Sequence, residues 1–256
     1  MRLKQYILQE GRSKEISEED AIDLIKKNCQ QALKGTPIYR GIRESSTVNY
    51  MFIDPKSSKP RKSANTRNYY TLINDNSPEW KQYPKRSQSI ICTTDSISAS
   101  KYGWVKRVFP YDGAKIGVCP ERDYWVSFLK TLGEYTSLDE FNNILYKLIN
   151  TKANIYGFND SSYKNIVESF KTFDMFMKDS PKLLESIKNE YSMFRDYDPE
   201  KITFLEYVQK LLSPKPNGFK LKKSGDKLPR EREVWTDSKS VLVADVAVDD
   251  VLKELQ

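Results

Sequence analysis

Histidine occurs nowhere in the 256-residue chain. Imidazole triads, Cys-His proteases, HExxH metalloproteases and most zinc enzymes therefore fall away together, since each needs imidazole as base or ligand. Any chemistry must run on Glu, Asp, Arg, Lys, Tyr, Ser, Thr or Cys. Cysteine is scarce as well. Cys29, Cys92 and Cys119 are odd in number, widely spaced and without a CxxC pattern. They support neither a disulfide framework nor a zinc site, and point to a reducing cytoplasm. No apolar run is long enough to span a bilayer. The first ten residues hold only a short, interrupted apolar stretch with no small-residue cleavage site, so no secretion signal is read there. Internal repeats and low-complexity segments are missing too.

What is present describes a soluble chain: 38% hydrophobic and 30% charged residues. The length suits one catalytic domain spanning 1–256 with an elaboration inside it. The net charge of +7 and pI near 9.0 fit a nucleic acid or another polyanion as partner. The excess is uneven, because between Lys56 and Arg122 thirteen basic residues stand against five acidic ones, an excess of eight.

Ser17 followed by Glu18-Glu19-Asp20 reads as a helix start, and Ala21, Ile22, Leu24, Ile25 and Cys29 supply its apolar face up to Gly35. Ile38-Tyr39-Arg40-Gly41-Ile42 reads as a short strand. Residues 43–68, rich in Lys, Arg, Ser, Pro and Asn, read as an exposed loop. Further strands are expected at Ser89–Thr94, Val105–Val108, Ala114–Val118, Val234-Trp235 and Val241–Val243, with a capped helical turn from Ser96 to Tyr102. From Asp123 to Leu212 apolar residues recur at helical spacing, giving an expected helical insertion over 123–212. Its later helices are placed at Tyr163–Met177, Pro181–Phe194 and Pro199–Leu212.

Three local patterns stand out: Tyr39-Arg40-Gly41 on a strand, Cys92-Thr93-Thr94 at a strand end, and Glu231-Arg232-Glu233 running into Val234-Trp235. Singly, each has an ordinary reading: a surface arginine, a turn, a solvated charge run. In this order they resemble the Arg-Ser-Glu ADP-ribosyltransferases. That signature joins an apolar or aromatic residue before Arg, a Ser-Thr-Ser strand, and Glu-x-Glu followed by apolar residues. The resemblance covers 36–42, 86–118 and 227–246 and leaves the helical block outside. Cys92 departs from it, standing where the family has its first serine, so that Thr93 or Ser89 must take over that contact.

The resemblance implies an α+β fold whose core is two packed mixed β-sheets, with an N-terminal helix and the large helical insertion. It also implies NAD as substrate and no metal. Breaking the nicotinamide–ribose bond develops positive charge on the sugar, which a carboxylate stabilises; Glu233 takes that role by resemblance. Glu231, two residues earlier and so on the same strand face, would engage the acceptor. Arg40, with Tyr39 and Gly41 beside it, would pin the cofactor's diphosphate, and Cys92, Thr93 and Thr94 would orient Glu233 and the ribose. Asn65, Arg67, Tyr69 and Tyr102 are additional candidate contacts. The implied partner is a macromolecular acceptor, protein arginine first and nucleic acid second, with an antitoxin or inhibitor as a further partner. The style is that of phage-encoded or toxin-system enzymes acting in a host cytoplasm. Two alternatives stay open: a basic nucleic-acid-binding or virion-associated protein without turnover, and a NAD glycohydrolase.

Overall fold

A computed structural model describes residues 12–43, 48–57, 69–153 and 162–255. The chain forms two compact units, one from Met1–Arg61, Gln82–Asp123 and Lys220–Gln256, the other from Lys62–Lys81 and Tyr124–Phe219.

The first unit is built on strands β1 (Arg12–Glu15), β2 (Ile38–Ile42), β3 (Tyr50–Asp54), β4 (Ile90–Thr93), β5 (Trp104–Pro110), β6 (Lys115–Val118), β7 (Lys220–Lys223), β8 (Glu233–Thr236) and β9 (Ser240–Ala244). The expected pair of packed mixed sheets does not form. The described strands join in one nine-stranded sheet of order β1-β3-β9-β5-β2-β4-β8-β6-β7, and each registered pair is antiparallel. The reason lies at β2, which is bonded on both edges. It pairs along its length with β5 and, through Tyr39 opposite Thr93, with β4. That one residue pair carries the sheet across from its first five strands to its last four. Side chains from both halves, including Ile38, Met51, Val108, Cys92, Ile116, Val234 and Leu242, then share one apolar cluster.

A second cluster joins the sheet to helices. Ala21 and Ile25 from the helix Glu18–Asn28, and Ala247, Val248 and Val251 from Asp245–Glu254, pack on Phe109, Val241 and Val243. Ser17 caps the first helix as its sequence predicts, accepting from Asp20 N at 3.1 Å, a contact worth about 1 kcal/mol. Strand β3 lies within the stretch read as loop. Its alternating burial is visible in Tyr-Met-Phe-Ile-Asp but is flanked on both sides by loop-like composition. Strand β7, Lys-Leu-Lys-Lys, was also unforeseen; it is a sheet edge, where lysines are at home.

The second unit is helical, with an aromatic core. Phe204 lies 4.4 Å from Phe173 and 5.0 Å from Phe170, ring centre to ring centre. Trp80, Tyr124, Phe128 and Phe219 form a second aromatic group. The helix expected from Pro199 begins later, at Phe204. Asp198 instead closes a turn, its carbonyl accepting from Lys201 N and Ile202 N. Thr203 and Glu206 form a reciprocal capping box that fixes the true start.

Candidate functional site

The three patterns converge in the sheet unit. Tyr39 faces Thr93 across β2 and β4, and Thr93 faces Glu233 across β4 and β8, so the three form one transverse row. Residues directly opposite in an antiparallel pair share a face, which puts these side chains together. Arg40 sits next in β2 and so alternates away from Tyr39, on the strand face of Ile38; it is half-buried, and its Nη1 donates to the Ile91 carbonyl at 3.0 Å. The guanidinium therefore lies against β4 where the two halves of the sheet meet.

Gly41 is needed for packing. A Cβ there would come 2.1 Å from the Ala99 carbonyl oxygen, so only glycine lets the helix Ser96–Ser100 lie against β2. Asp95 caps that helix, accepting from Ile97 N, Ser98 N and Ser98 Oγ at 3.2, 3.0 and 2.6 Å. The Ser98 hydroxyl bond, with the backbone amides, holds the Asp95 carboxyl below the usual aspartate range. Cys92 alternates away from Thr93 and lies in the apolar cluster. It is a core side chain. Thr94 bonds to the Glu231 turn: its hydroxyl donates to the Pro229 carbonyl at 2.8 Å and accepts from Arg232 N at 3.0 Å.

Glu231 and Glu233 part company here. Glu233 opens β8, whereas Glu231 lies before the strand with φ of 53°. Strand alternation does not reach it, so the shared face expected for the pair does not follow. Left-handed backbone is uncommon for a residue bearing a Cβ and costs about 1–2 kcal/mol. The Glu231 carboxylate pairs with Arg122, both side chains largely exposed.

Around Glu233 the surroundings are buried. Arg86 Nη2 lies 2.5 Å from Glu233 Oε1, with the two side chains 7% and 15% exposed. The Arg86 guanidinium also sits 5.7 Å from the Trp235 ring centre. Trp235 is fixed in turn: Nε1 donates to the Pro84 carbonyl at 2.9 Å, and Tyr83 stacks on its ring at 6.2 Å. Gly117 provides the space, since a Cβ would fall 2.2 Å from the indole. Arg86 was not singled out from the sequence, where it closes the basic run Lys81 to Arg86 with nothing to mark it from its neighbours.

Burial pushes the Tyr102 hydroxyl above the usual tyrosine range, the carboxylates of Asp123 and Glu233 add to the rise, and Arg40 opposes it. Its phenol is thus within electrostatic reach of Asp123, Glu233 and Arg40 alike, while the residue stays 55% exposed. Lys106, opposite Arg40 across β2 and β5, is 1% exposed and donates to the Val48 carbonyl. Burial lowers its pKa. Of the other candidates, Asn65, Arg67 and the Tyr69 side chain lie outside the described residues.

Part of the basic stretch is neutralised within the chain: Lys56 pairs with Asp237 at 2.8 Å, Arg86 with Glu233, and Arg122 with Glu231. Among the described residues no group of three or more Cys, Asp or Glu could hold a metal ion, and no helix is long and apolar enough to cross a membrane. No family model, curated protein or solved structure matches the chain. The functional reading therefore rests on the residues themselves.

Proposed function

We propose that the chain cleaves NAD and transfers its ADP-ribose to a macromolecular acceptor, releasing nicotinamide. The observation that carries this reading is the row Tyr39, Thr93, Glu233, drawn from three segments far apart in sequence, with Arg40 on the next position of β2 bonded to the β4 backbone and Tyr102 within electrostatic reach of both Glu233 and Arg40. A dinucleotide asks for a fixed cation, an oriented carboxylate and an accessible aromatic ring; Arg40, Glu233 and Tyr102 supply them. In the reaction, the bond between ribose and nicotinamide breaks and its electron pair leaves with nicotinamide. Glu233 stabilises the charge left on the sugar. The acceptor's nucleophile then bonds to that carbon and gives its proton to a base, for which Glu231 is the candidate because its side chain is half exposed and mounted on the turn beside Glu233.

Arginine on a protein is the first acceptor to test. One observation favours nucleic acid as the second: on the sheet edge Lys115 stands directly opposite Lys223, with Lys220 and Lys222 on the same strand. Lys115 Nζ donates to the Gln82 carbonyl, and the lysines together leave this edge positively charged. The test incubates the purified chain with adenylate-labelled NAD and a cell lysate, then divides the product between protease and nuclease. Label is expected on macromolecules, and Glu233→Gln is expected to reduce it by about 100- to 1,000-fold. No label and no nicotinamide release from the unmodified chain would overturn the reading in favour of a basic binding protein. Nicotinamide release without transfer would make it a glycohydrolase.

A further inference from the structure

Arg86 and Glu233 form a largely buried ion pair in the sheet unit, and the fixed parts around Arg86 are not those of a casual ion pair. Arg86 begins a short turn, Arg86–Gln88, closed by Gln88 N donating to the Lys85 carbonyl at 3.0 Å and by Ser89 Oγ donating to the same carbonyl at 2.7 Å. One face of its guanidinium is set by the Trp235 ring, which the Pro84 carbonyl, Tyr83 and the missing Cβ of Gly117 hold in place. Its partner is fixed as well, since Glu233 is registered opposite Thr93. A buried ion pair is a poor way to gain stability, because desolvating two charges cancels most of their attraction and an apolar pair of the same size commonly does as well. What it does supply is orientation: a planar cation with both anchors fixed aims a carboxylate more narrowly than a solvated one.

We infer that Arg86 is a positioning residue for Glu233, holding Oε1 so that Oε2 is presented to the ribose of NAD. This rests on the transferase reading. Arg86 acts through Glu233 and makes no contact with the dinucleotide itself. A misplacement of the carboxylate by an ångström is enough to cost on the order of 100-fold in rate, and a lysine, with a point charge on a flexible stem, cannot reproduce the planar approach of Nη2 to Oε1 beside the Trp235 ring.

The experiment measures nicotinamide release from NAD by the full chain, unmodified and carrying Arg86→Lys or Arg86→Met, with the thermal unfolding midpoint of each. For Arg86→Lys we expect kcat to fall on the order of 100-fold while KM for NAD stays within about twofold, because ground-state binding is untouched. Arg86→Met is expected to fall further; if it fails to fold, the lysine variant carries the test by itself. Three results overturn the inference. An unchanged kcat per folded molecule in Arg86→Lys, whatever the midpoint does, makes Arg86 structural only. A raised KM with kcat preserved makes it an NAD ligand. No nicotinamide release from the unmodified chain removes the transferase reading and the inference with it, whereas the first two results leave that reading standing.

Discussion

Each compact unit buries an acid, and the two acids are treated differently. In the helical unit Asp174 meets neutral donors: Tyr197 OH at 2.5 Å and Phe204 N at 2.7 Å, both on Oδ1. In the sheet unit Glu233 meets the cation Arg86. Two dipoles suffice for an acid that ties a helix start to its neighbour. An acid kept against a buried cation, beside an aromatic ring and next to a half-exposed arginine, is arranged for something other than packing. Helix starts at Ser137, Ser162 and Thr203 in the helical unit, and at Ser17 and Asp95 in the sheet unit, follow local rules, each capped through its side chain. The sheet unit departs from local expectation at Lys106, a buried lysine, and at Glu231, whose backbone is left-handed. Departures from local consistency gather where function is expected.

The largest effect that sharpens this contrast lies in the aromatic core. Phe204→Ala is expected to destabilise the chain by about 3–5 kcal/mol, measured by urea unfolding, while nicotinamide release per folded molecule stays unchanged. A proportionate loss of turnover would break the division between scaffold and site. A smaller effect is expected at Asp174, and its sign follows from burial, which raises the carboxyl above its ordinary value near 3.8 despite its donors. Between 3.8 and the raised folded value the native state holds the extra proton, so stability falls as pH rises through that window and stays lower above it. Asparagine keeps Oδ1 and both donors without the charge. Asp174→Asn is therefore expected to be the more stable protein at pH 7, with the advantage vanishing below pH 3.8; urea midpoints across that range give the answer.

The site was legible in the sequence only where its geometry is local. Ile38–Ile42, Ile90–Thr93 and Val234-Trp235 carry the β-branched and aromatic residues that announce strands, so Arg40, Thr93 and Glu233 could each be placed on or at the start of one. The way those strands joined could not be read. Whether β2 leaves an open edge or bonds on both sides turns on a single residue pair, Tyr39 with Thr93, and that distinction separates one sheet from two. Cys92 was assigned by its place in a motif, but alternation sends it into the apolar cluster. Arg86 was invisible because its partner is distant in the chain and its neighbours are equally basic.

The smallest stability effect tests the most functional claim. Glu231 holds φ of 53° although it carries a side chain. Relieving that conformation recovers about 1–2 kcal/mol, while glycine gives back about 0.5–1 kcal/mol through the freedom it adds to the unfolded chain. The Arg122 partner is exposed and its loss costs little. Glu231→Gly should therefore leave the protein equally stable or more stable by up to about 1.5 kcal/mol. A residue retained against its own backbone preference needs a reason outside folding. If that reason is the acceptor, the glycine variant will release nicotinamide at the unmodified rate and fail to label any macromolecule. Labelling that survives the substitution would remove Glu231 from the transfer step and leave Glu233 as the acid on which the reaction depends.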